Sequence, residues 1–122
     1  MRLMRNAHAP HIDFNEFRGM IKSNPKILPC DIDMIIERKG KFLVGEWKRE
    51  GESMSQGQVL LLQALAKQSQ FVVVVIHGHT DDDTVVFGFD WINKRGELKH
   101  GGKCLGDLKN FIGRWYEYAD RG

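Results

Sequence analysis

A chain of 122 residues is long enough to bury one hydrophobic core and too short for two, so we expect a single domain over residues 1–122. Its hydrophobic content of 42% is ordinary for a globular protein, and its net charge of +2 is too small to identify a nucleic-acid-binding protein. The two cysteines, Cys30 and Cys104, form no Cys-x-x-Cys pair, which argues against a zinc ribbon. With no leading apolar segment and no run of membrane-spanning length, we expect a cytoplasmic protein with free thiols and no membrane partner.

The first predicted element is a helix that follows a loose arm. Residues 1–12 show no clear pattern, and we expect them to form a flexible arm. Asp13 and Glu16 have the spacing of a capping box for a helix over residues 14–23. Glu16 can act either as this capping residue or as a metal ligand, and the sequence leaves both roles open. Asn24-Pro25 ends this helix, because the residue before a proline disfavours the helical conformation.

The next segment, residues 33–48, predicts a β-hairpin with charged side chains at its open end. Two apolar runs flank a Lys39-Gly40 break, and a two-residue turn there places Asp33 opposite Glu46. Directly opposed residues have Cβ atoms roughly 5 Å apart. Lys48 shares the face of Glu46 because side chains alternate along a strand. Both faces are apolar in the middle of the hairpin, so we expect a sheet that is covered on both sides.

The register of the hairpin decides whether these charges meet. A three-residue turn around Gly40 is also common, and it would move Glu46 to the other face. That register leaves buried charge on both faces with no shared ion, so we predict the two-residue turn. Two converging carboxylates then suit a hard cation such as Mg²⁺, which prefers oxygen ligands. A buried ion pair between Lys48 and the acids is the alternative interpretation.

The second half of the chain predicts one helix, several strands and a final helix. Ser55 can cap a helix in which Gln58 completes a capping box, and whether Gln58 has a further role stays open. Residues 71–76 form a β-branched run that is typical of a central strand buried on both faces. A strand over residues 84–92, a tight turn and a short strand follow. Asp107 is the predicted cap of the last helix.

The hairpin and the helix after it resemble the PD-(D/E)xK nuclease superfamily. The family pattern is an acid on one strand and an acid-x-lysine triplet on the next, matched here by Asp33 and Glu46-Trp47-Lys48. Asp31 is a rival for the first acid, but it would face Lys48 rather than Glu46. The interval of 13 residues between Asp33 and Glu46 is similar to that in archaeal Holliday junction resolvases. Gln58 near the helix start looks like the glutamine helix of virus-type replication-repair nuclease domains.

This resemblance implies an α/β fold with a restriction-endonuclease-like αβββαβ core, in which a mixed sheet is flanked by helices on both faces. One core strand would lie near residues 26–30 or be fused into residues 31–38. The resemblance also implies a metal-dependent DNA endonuclease whose catalytic residues are Asp33, Glu46, Lys48 and Gln58. The expected cofactor is Mg²⁺, with Mn²⁺ able to substitute. Its expected ligands are Asp33, Glu46, the backbone carbonyl of Trp47 and, as a further candidate, Glu16.

Four basic side chains are the predicted nucleic-acid contacts, namely Arg38, Lys39, Lys41 and Arg49. No recognition helix is evident, so we expect cutting directed by DNA structure, on branched or flapped DNA, as in a junction resolvase or a repair and recombination nuclease. A homodimer is expected because one site cuts one strand. The alternatives are a non-catalytic nucleic-acid-binding or assembly protein with the same fold, and an unrelated α+β interaction domain.

Two further polar groups receive no function from the sequence. The three consecutive acids over residues 81–83 are expected to be a solvated loop. His77 and His79 have the two-residue spacing of one strand face and suit a transition metal or a substrate contact. Because no third histidine or cysteine accompanies them in the pattern, we assign them no site.

Overall fold

The computed structural model describes residues 12–122, so the expected flexible arm lies, except for its last residue, outside the described residues. The chain divides into two compact units, residues 1–31 and residues 32–122. In the described part of the first unit, the regular structure is a single three-residue 3₁₀ helix, Asn15–Phe17. The prediction of a helix over residues 14–23 is therefore wrong.

A local conflict explains why that helix does not form. Asp13 does act as a cap-like acceptor, since its Oδ1 accepts the backbone N–H of Asn15 at 2.9 Å. The chain then leaves the helical conformation at Arg18, which is extended, and at Gly19, whose φ is 83°. Glycine adopts this left-handed conformation without a steric penalty, and an α-helix cannot continue through it. Favourable spacing at the start was not sufficient to propagate the helix.

The second unit is built on a five-stranded mixed sheet. Its strands are β1 (Met34–Arg38), β2 (Lys41–Lys48), β3 (Phe71–His79), β4 (Val85–Ile92) and β5 (Leu98–Gly102). They are neighbours in this same order, β1-β2-β3-β4-β5. Helix α1, Gln56–Ala66, connects β2 to β3, which are parallel neighbours, whereas the other neighbouring pairs are antiparallel. A crossover helix is the usual connection between parallel strands. The predicted α/β class with a mixed sheet is thus confirmed.

Helices cover both faces of this sheet, as predicted. Alternate residues of the central strands enter two separate apolar clusters because side chains alternate along a strand. The cluster under α1 contains Val44, Leu62, Ala66, Val73, Val75 and Ile92. The cluster under the final helix α2, Leu105–Asp120, contains Leu43, Val74, Ile76, Phe89, Leu108, Trp115 and Ala119. Within the described residues, neither helix is long and apolar enough to cross a membrane.

The details of the predicted core differ from the observed fold. The αβββαβ series has three strands before its second helix, whereas the described residues have two, and none forms over residues 26–30. The later part of that series matches the observed order β1, β2, α1 and β3. This match in order does not establish the finer restriction-endonuclease-like assignment. Strand β1 lies at the sheet edge with Ile35 55% exposed, so the expectation of a hairpin covered on both sides is wrong for β1.

The start of α2 also differs from the prediction. Cys104 rather than Asp107 is the residue that precedes the helix, and Asp107 lies in the first turn. Its Oδ2 accepts the backbone N–H of Lys103 at 2.9 Å, and this hydrogen bond is the largest cause of the lowered pKa of Asp107. An acidic side chain in the first turn also interacts favourably with the helix dipole. Asp107 therefore stabilises the helix start from inside the helix.

Candidate functional site

The hairpin turn sets the geometry of the site. Lys39-Gly40 forms a two-residue turn in which both residues have positive φ, 52° and 78°. These values are typical of a type I′ turn, whose twist matches that of the flanking strands. The β1–β2 ladder runs from Arg38 opposite Lys41 to Met34 opposite Gly45, and Asp33 directly precedes β1. The predicted two-residue turn and its register are confirmed over this ladder, whereas the placement of Asp33 beside Glu46 on one face stays a prediction.

Glu46 and Lys48 are buried charges near the end of β2, with relative exposures of 5% and 6%. They lie on the face covered by α1, because Val44 of the same alternating set belongs to the α1 cluster. Taking a charge out of water costs several kcal/mol unless hydrogen bonds or an opposite charge compensate it. The partners of these two side chains therefore show how the protein tolerates them.

Gln58 in the first turn of α1 joins the two buried charges. Its side-chain NH₂ donates to Glu46 Oε1 at 3.1 Å, and its Oε1 accepts from Lys48 Nζ at 2.8 Å. The same Oε1 accepts the backbone N–H of Ser55 at 3.3 Å, while Ser55 Oγ accepts the backbone N–H of Gln58 at 3.2 Å. Gln58 thus completes the capping box and also contacts both charges, and its catalytic role stays a prediction.

Asp33 is bound to the backbone of β2. Its Oδ2 accepts the N–H of Trp47 at 2.9 Å, so the side chain takes the place of a backbone acceptor beyond the end of β1. The N–H and C=O groups of one strand residue point to the same side of the strand. The carbonyl of Trp47 therefore also faces the Asp33 side. Two of the expected metal ligands, the Asp33 carboxylate and this carbonyl, lie along the same edge of β2.

The donor set suits a hard divalent cation. As the side chains stand, no group of three or more His, Cys, Asp or Glu residues within residues 12–122 could hold a metal ion. Mg²⁺ does not require such a group, since it is commonly bound through one or two carboxylates and keeps several water ligands. Asp33, Glu46 and the Trp47 carbonyl supply oxygen atoms of the right kind. Glu16 belongs to the other unit of the chain, so its role as a ligand stays a prediction.

Three of the predicted nucleic-acid contacts lie at the turn end of the hairpin, where they bind α2. Arg38 Nε donates to Asp120 Oδ1 at 2.6 Å, and Lys39 Nζ donates to the Asp120 carbonyl at 2.7 Å. The hydrogen bond to Asp120 raises the pKa of Arg38, and Lys41 stands over an aromatic ring of α2. Lys41 and Glu46 are five steps apart along β2, which is about 17 Å at the usual rise per residue. Their role in nucleic-acid binding stays a prediction.

Arg49 directly follows Lys48 and lies at the site end of the hairpin. Its guanidinium forms a two-pronged ion pair with Asp81, with one N–O distance of 2.7 Å. The hydrogen bond to Asp81 is the largest cause of the raised pKa of Arg49. All three acids over residues 81–83 are exposed, as expected, and Asp81 in addition pairs with Arg49. The pair ties the loop after β2 to the loop after β3.

Two polar residues on the α1 face were missed by the sequence patterns, Asp90 of β4 and His100 of β5. Asp90 pairs with Val75 and with His100, and Glu46 pairs with Val75 from the other side. His77, two residues after Val75, points to the same face. A carboxylate inside an otherwise apolar strand is the signal that could have identified Asp90. Polar side chains on the α1 face therefore occur not only on β2, at Glu46 and Lys48, but also on β3, β4 and β5.

Comparison of this chain with models of protein families, with curated proteins and with solved structures finds no match. The geometry of the site therefore carries the functional argument, since a fold of this general class is compatible with many activities.

Proposed function

We propose that this protein is a metal-dependent nuclease of the PD-(D/E)xK type, which hydrolyses phosphodiester bonds in DNA. The observation that carries the proposal is the buried pair Glu46 and Lys48, bridged by Gln58 at the end of β2 where the Asp33 carboxylate binds the Trp47 N–H. Glu46 and Lys48 are buried, and an apolar pair of similar volume would serve packing at least as well. A catalytic role supplies a reason for keeping both charges at this position.

The chain's own residues would divide the chemistry between them. Asp33, Glu46 and the Trp47 carbonyl would hold Mg²⁺ or Mn²⁺. A bound ion of this kind lowers the pKa of a water ligand and polarises the scissile phosphate. Lys48 would orient the attacking water and offset the negative charge that develops on the phosphate. Gln58 would fix the separation of Lys48 and Glu46 through its two hydrogen bonds, so that neither charge has to reorganise during the reaction.

The substrate we propose is branched or flapped DNA, cut by a homodimer. The second unit has no separate reader element beyond its sheet and two helices, so DNA shape rather than base sequence would select the target. Arg49 lies next to Lys48 and is the nearest of the predicted phosphate contacts to the site. To bind a phosphate, it would exchange its ion pair with Asp81 for one with the backbone of the DNA.

Asp33→Asn tests this proposal with little disturbance of the fold. The asparagine side chain retains an oxygen that can accept the Trp47 N–H, while the charge needed for metal binding is lost. The matched control is Glu37→Gln, since Glu37 lies on the same face of β1 at the turn end and its Oε2 accepts the Gly40 N–H at 2.8 Å. We expect Asp33→Asn to reduce cutting by roughly 100-fold or more, and the control to cut like the wild type.

The assay uses labelled linear, flapped and four-way junction DNA with Mg²⁺, Mn²⁺ or EDTA. Cutting that needs a divalent ion and is lost only in Asp33→Asn supports the proposed site. Equal cutting by both variants would remove Asp33 from the mechanism. DNA binding by the wild type without cutting in either metal would replace the nuclease with a non-catalytic nucleic-acid-binding protein.

A further inference from the structure

We propose, resting on the DNA substrate proposed above, that the turn end of the hairpin and the end of α2 bind an unpaired strand of that DNA. The surface consists of two tyrosines of α2 and three basic residues of the hairpin, namely Tyr116, Tyr118, Arg38, Lys39 and Lys41. Arg38 Cζ stands over the Tyr116 ring, 5.4 Å from its centre, and Lys41 Nζ stands 5.5 Å from the centre of the Tyr118 ring. We call these five side chains the tyrosine surface.

Both tyrosine rings are accessible to a ligand. Tyr116 is 41% exposed and Tyr118 is 51% exposed, whereas Trp115 and Ala119 of the same helix are buried. A ring has two faces, and a cation over one of them leaves the other for a second contact. Every nucleobase is flat and aromatic, so an unpaired base can stack on such a ring whatever its sequence. The tyrosines therefore suit the bases of a single strand.

The two cations that contact the tyrosines oppose each other directly. Arg38 and Lys41 are cross-strand partners on either side of the turn. Like charges at directly opposed positions destabilise a β-sheet. The attraction between a cation and the face of an aromatic ring offsets part of this repulsion. Opposite charges would stabilise the hairpin better at these two positions, so the positive pair indicates a negatively charged partner.

A third cation occupies a turn position that suits other residues better. Lys39 has a φ of 52° and is the one non-glycine residue with positive φ among the described residues. Asparagine, aspartate and glycine adopt this conformation at lower cost and are preferred in a type I′ turn. Glu37, the acid nearest the turn, lies on the opposite face of β1 from Arg38. The turn thus presents Arg38, Lys39 and Lys41 in close succession, which suits a run of phosphates.

Asp120 holds two of these cations in place without cancelling the positive charge. Its Oδ1 accepts from Arg38 Nε at 2.6 Å, and its carbonyl accepts from Lys39 Nζ at 2.7 Å. One carboxylate beside three cations leaves an excess of positive charge, and the exposed neighbours Glu117 and Arg121 offset each other. Cations that are already held in position lose less conformational freedom when they bind a phosphate.

A second copy of this chain fits the tyrosine surface less well than a nucleic-acid strand. Closed dimers usually have two-fold symmetry, in which one patch meets the same patch of the other copy. Two copies of the tyrosine surface would then bring its cations against identical cations, and like charges repel. A single strand of nucleic acid supplies both complementary groups, since its phosphates are negative and its bases stack on aromatic rings.

The position of the tyrosine surface suits a branched substrate. Arg38 and Lys41 lie on the α2 face, because each is two residues from a member of the packing around α2, Ile36 and Leu43 respectively. Glu46 lies under α1 on the other face, about 17 Å from Lys41 along β2. This length corresponds to about five nucleotides of one DNA strand. A flap or a second arm diverges from the duplex that is cut, so it can reach the other face of the sheet.

Labelled oligothymidylate in EDTA tests the tyrosine surface without any cutting. Thymine-only strands form no internal base pairs, and fluorescence anisotropy measures their affinity. We expect Tyr116→Ala and Tyr118→Ala each to weaken binding at least about fivefold, because stacking of one base on an aromatic residue contributes a factor of about 5–150. Tyr116→Phe and Tyr118→Phe retain the ring and should bind like the wild type. Binding of a duplex of the same length should change little in the alanine variants, because its bases are already stacked.

Further variants separate stacking from a loss of structure or of exposed apolar surface. Leu98→Ala removes a similarly exposed apolar side chain from β5 and should leave the affinity unchanged. Melting temperatures show whether each variant is folded. Tyr118→Trp retains a large ring and should bind at least as tightly as the wild type, so it tests stacking even if Tyr118→Ala does not fold.

Three results would overturn the inference. The first is failure of the wild type to bind oligothymidylate, and the second is equal affinity of the wild type and the two alanine variants. The third is a dimer in sedimentation velocity that the alanine variants dissociate, because the tyrosine surface would then be a contact between copies. Strand binding that depends on the tyrosines without any cutting of DNA in Mg²⁺ would support the tyrosine surface and contradict only the proposed nuclease activity.

Discussion

Replacing Gln58 with glutamate separates the two roles of this residue. Glutamate is a preferred residue at the third helical position of a capping box. A negative charge in the first turn also interacts with the helix dipole, which is worth about 0.3–1 kcal/mol. If Gln58 served only as a cap, Gln58→Glu would therefore leave the free energy of unfolding unchanged or raise it.

The contacts of Gln58 predict the opposite result. Its NH₂ group donates to Glu46 at 3.1 Å, and a carboxylate in its place can only accept. Glu46 would lose a hydrogen bond worth about 1.5–3 kcal/mol, because the acceptor is charged, and would face a like charge as well. Lys48 would keep an acceptor. After subtraction of the gain at the helix start, we expect Gln58→Glu to lower the free energy of unfolding by about 2 kcal/mol.

Thermal unfolding followed by circular dichroism at pH 7 in EDTA measures this difference. A loss of 2 kcal/mol lowers the melting temperature of a domain of this size by about 8 °C. The control is Gln56→Glu, which makes the same charge change at an exposed residue of the same helical turn. It should melt at or above the wild-type temperature. A Gln58→Glu variant that melts as high as Gln56→Glu would refute the argument that the Gln58 amide stabilises the buried charges.

Three further predictions concern the site lysine, the sheet bulge and the end of α2. Lys48→Met should retain the fold but lose turnover by roughly 100-fold in the DNA-cutting assay, and a large fall in melting temperature with unchanged cutting would contradict this. Gly78→Ala should destabilise the protein because of its backbone clash, while Gly113→Ala, in open space on α2, should stabilise it by about 1 kcal/mol in denaturant unfolding. The hydrogen bond from Arg38 lowers the pKa of Asp120 in the folded protein. The ionised carboxylate therefore stabilises the fold at pH values above its ordinary pKa, and this stabilisation is lost as the pH falls through the lowered pKa. Asp120→Asn should thus melt lower than wild type at pH 7, by a margin that shrinks below about pH 4, and a margin independent of pH would exclude this account.

The hairpin was predictable from the sequence because its charges and its turn point to the same register. Lys39-Gly40 favours a tight turn, and only one register keeps Asp33 and Glu46 on a shared face. The capping box at Ser55 and Gln58 was equally local, since its two partners are three residues apart. What the sequence did not reveal is that Gln58 contacts both buried charges, because this depends on how α1 packs across β2.

The errors arise where local signals lack tertiary support or where distant residues meet. Asp13 and Glu16 have the spacing of a helix start, but the left-handed Gly19 ends the turn and no helix propagates. Asp90 and His100 are neighbours only because β4 pairs with β5, so neither residue stands in a recognisable motif. Periodicity identifies which residues share one strand face, and it does not reveal which strands are adjacent.

The ion pair between Arg49 and Asp81 has a consequence for how DNA binding would respond to salt. A free arginine that binds a phosphate releases a condensed counterion, and each such contact steepens the fall of affinity with salt concentration. Arg49 already has a carboxylate partner in its own chain, so moving to a phosphate exchanges one ion pair for another, and the charge of the Asp81 carboxylate offsets part of the counterion release. Arg38, paired with Asp120, would behave in the same way. The slope of DNA affinity against salt concentration would therefore indicate fewer phosphate contacts than the protein makes.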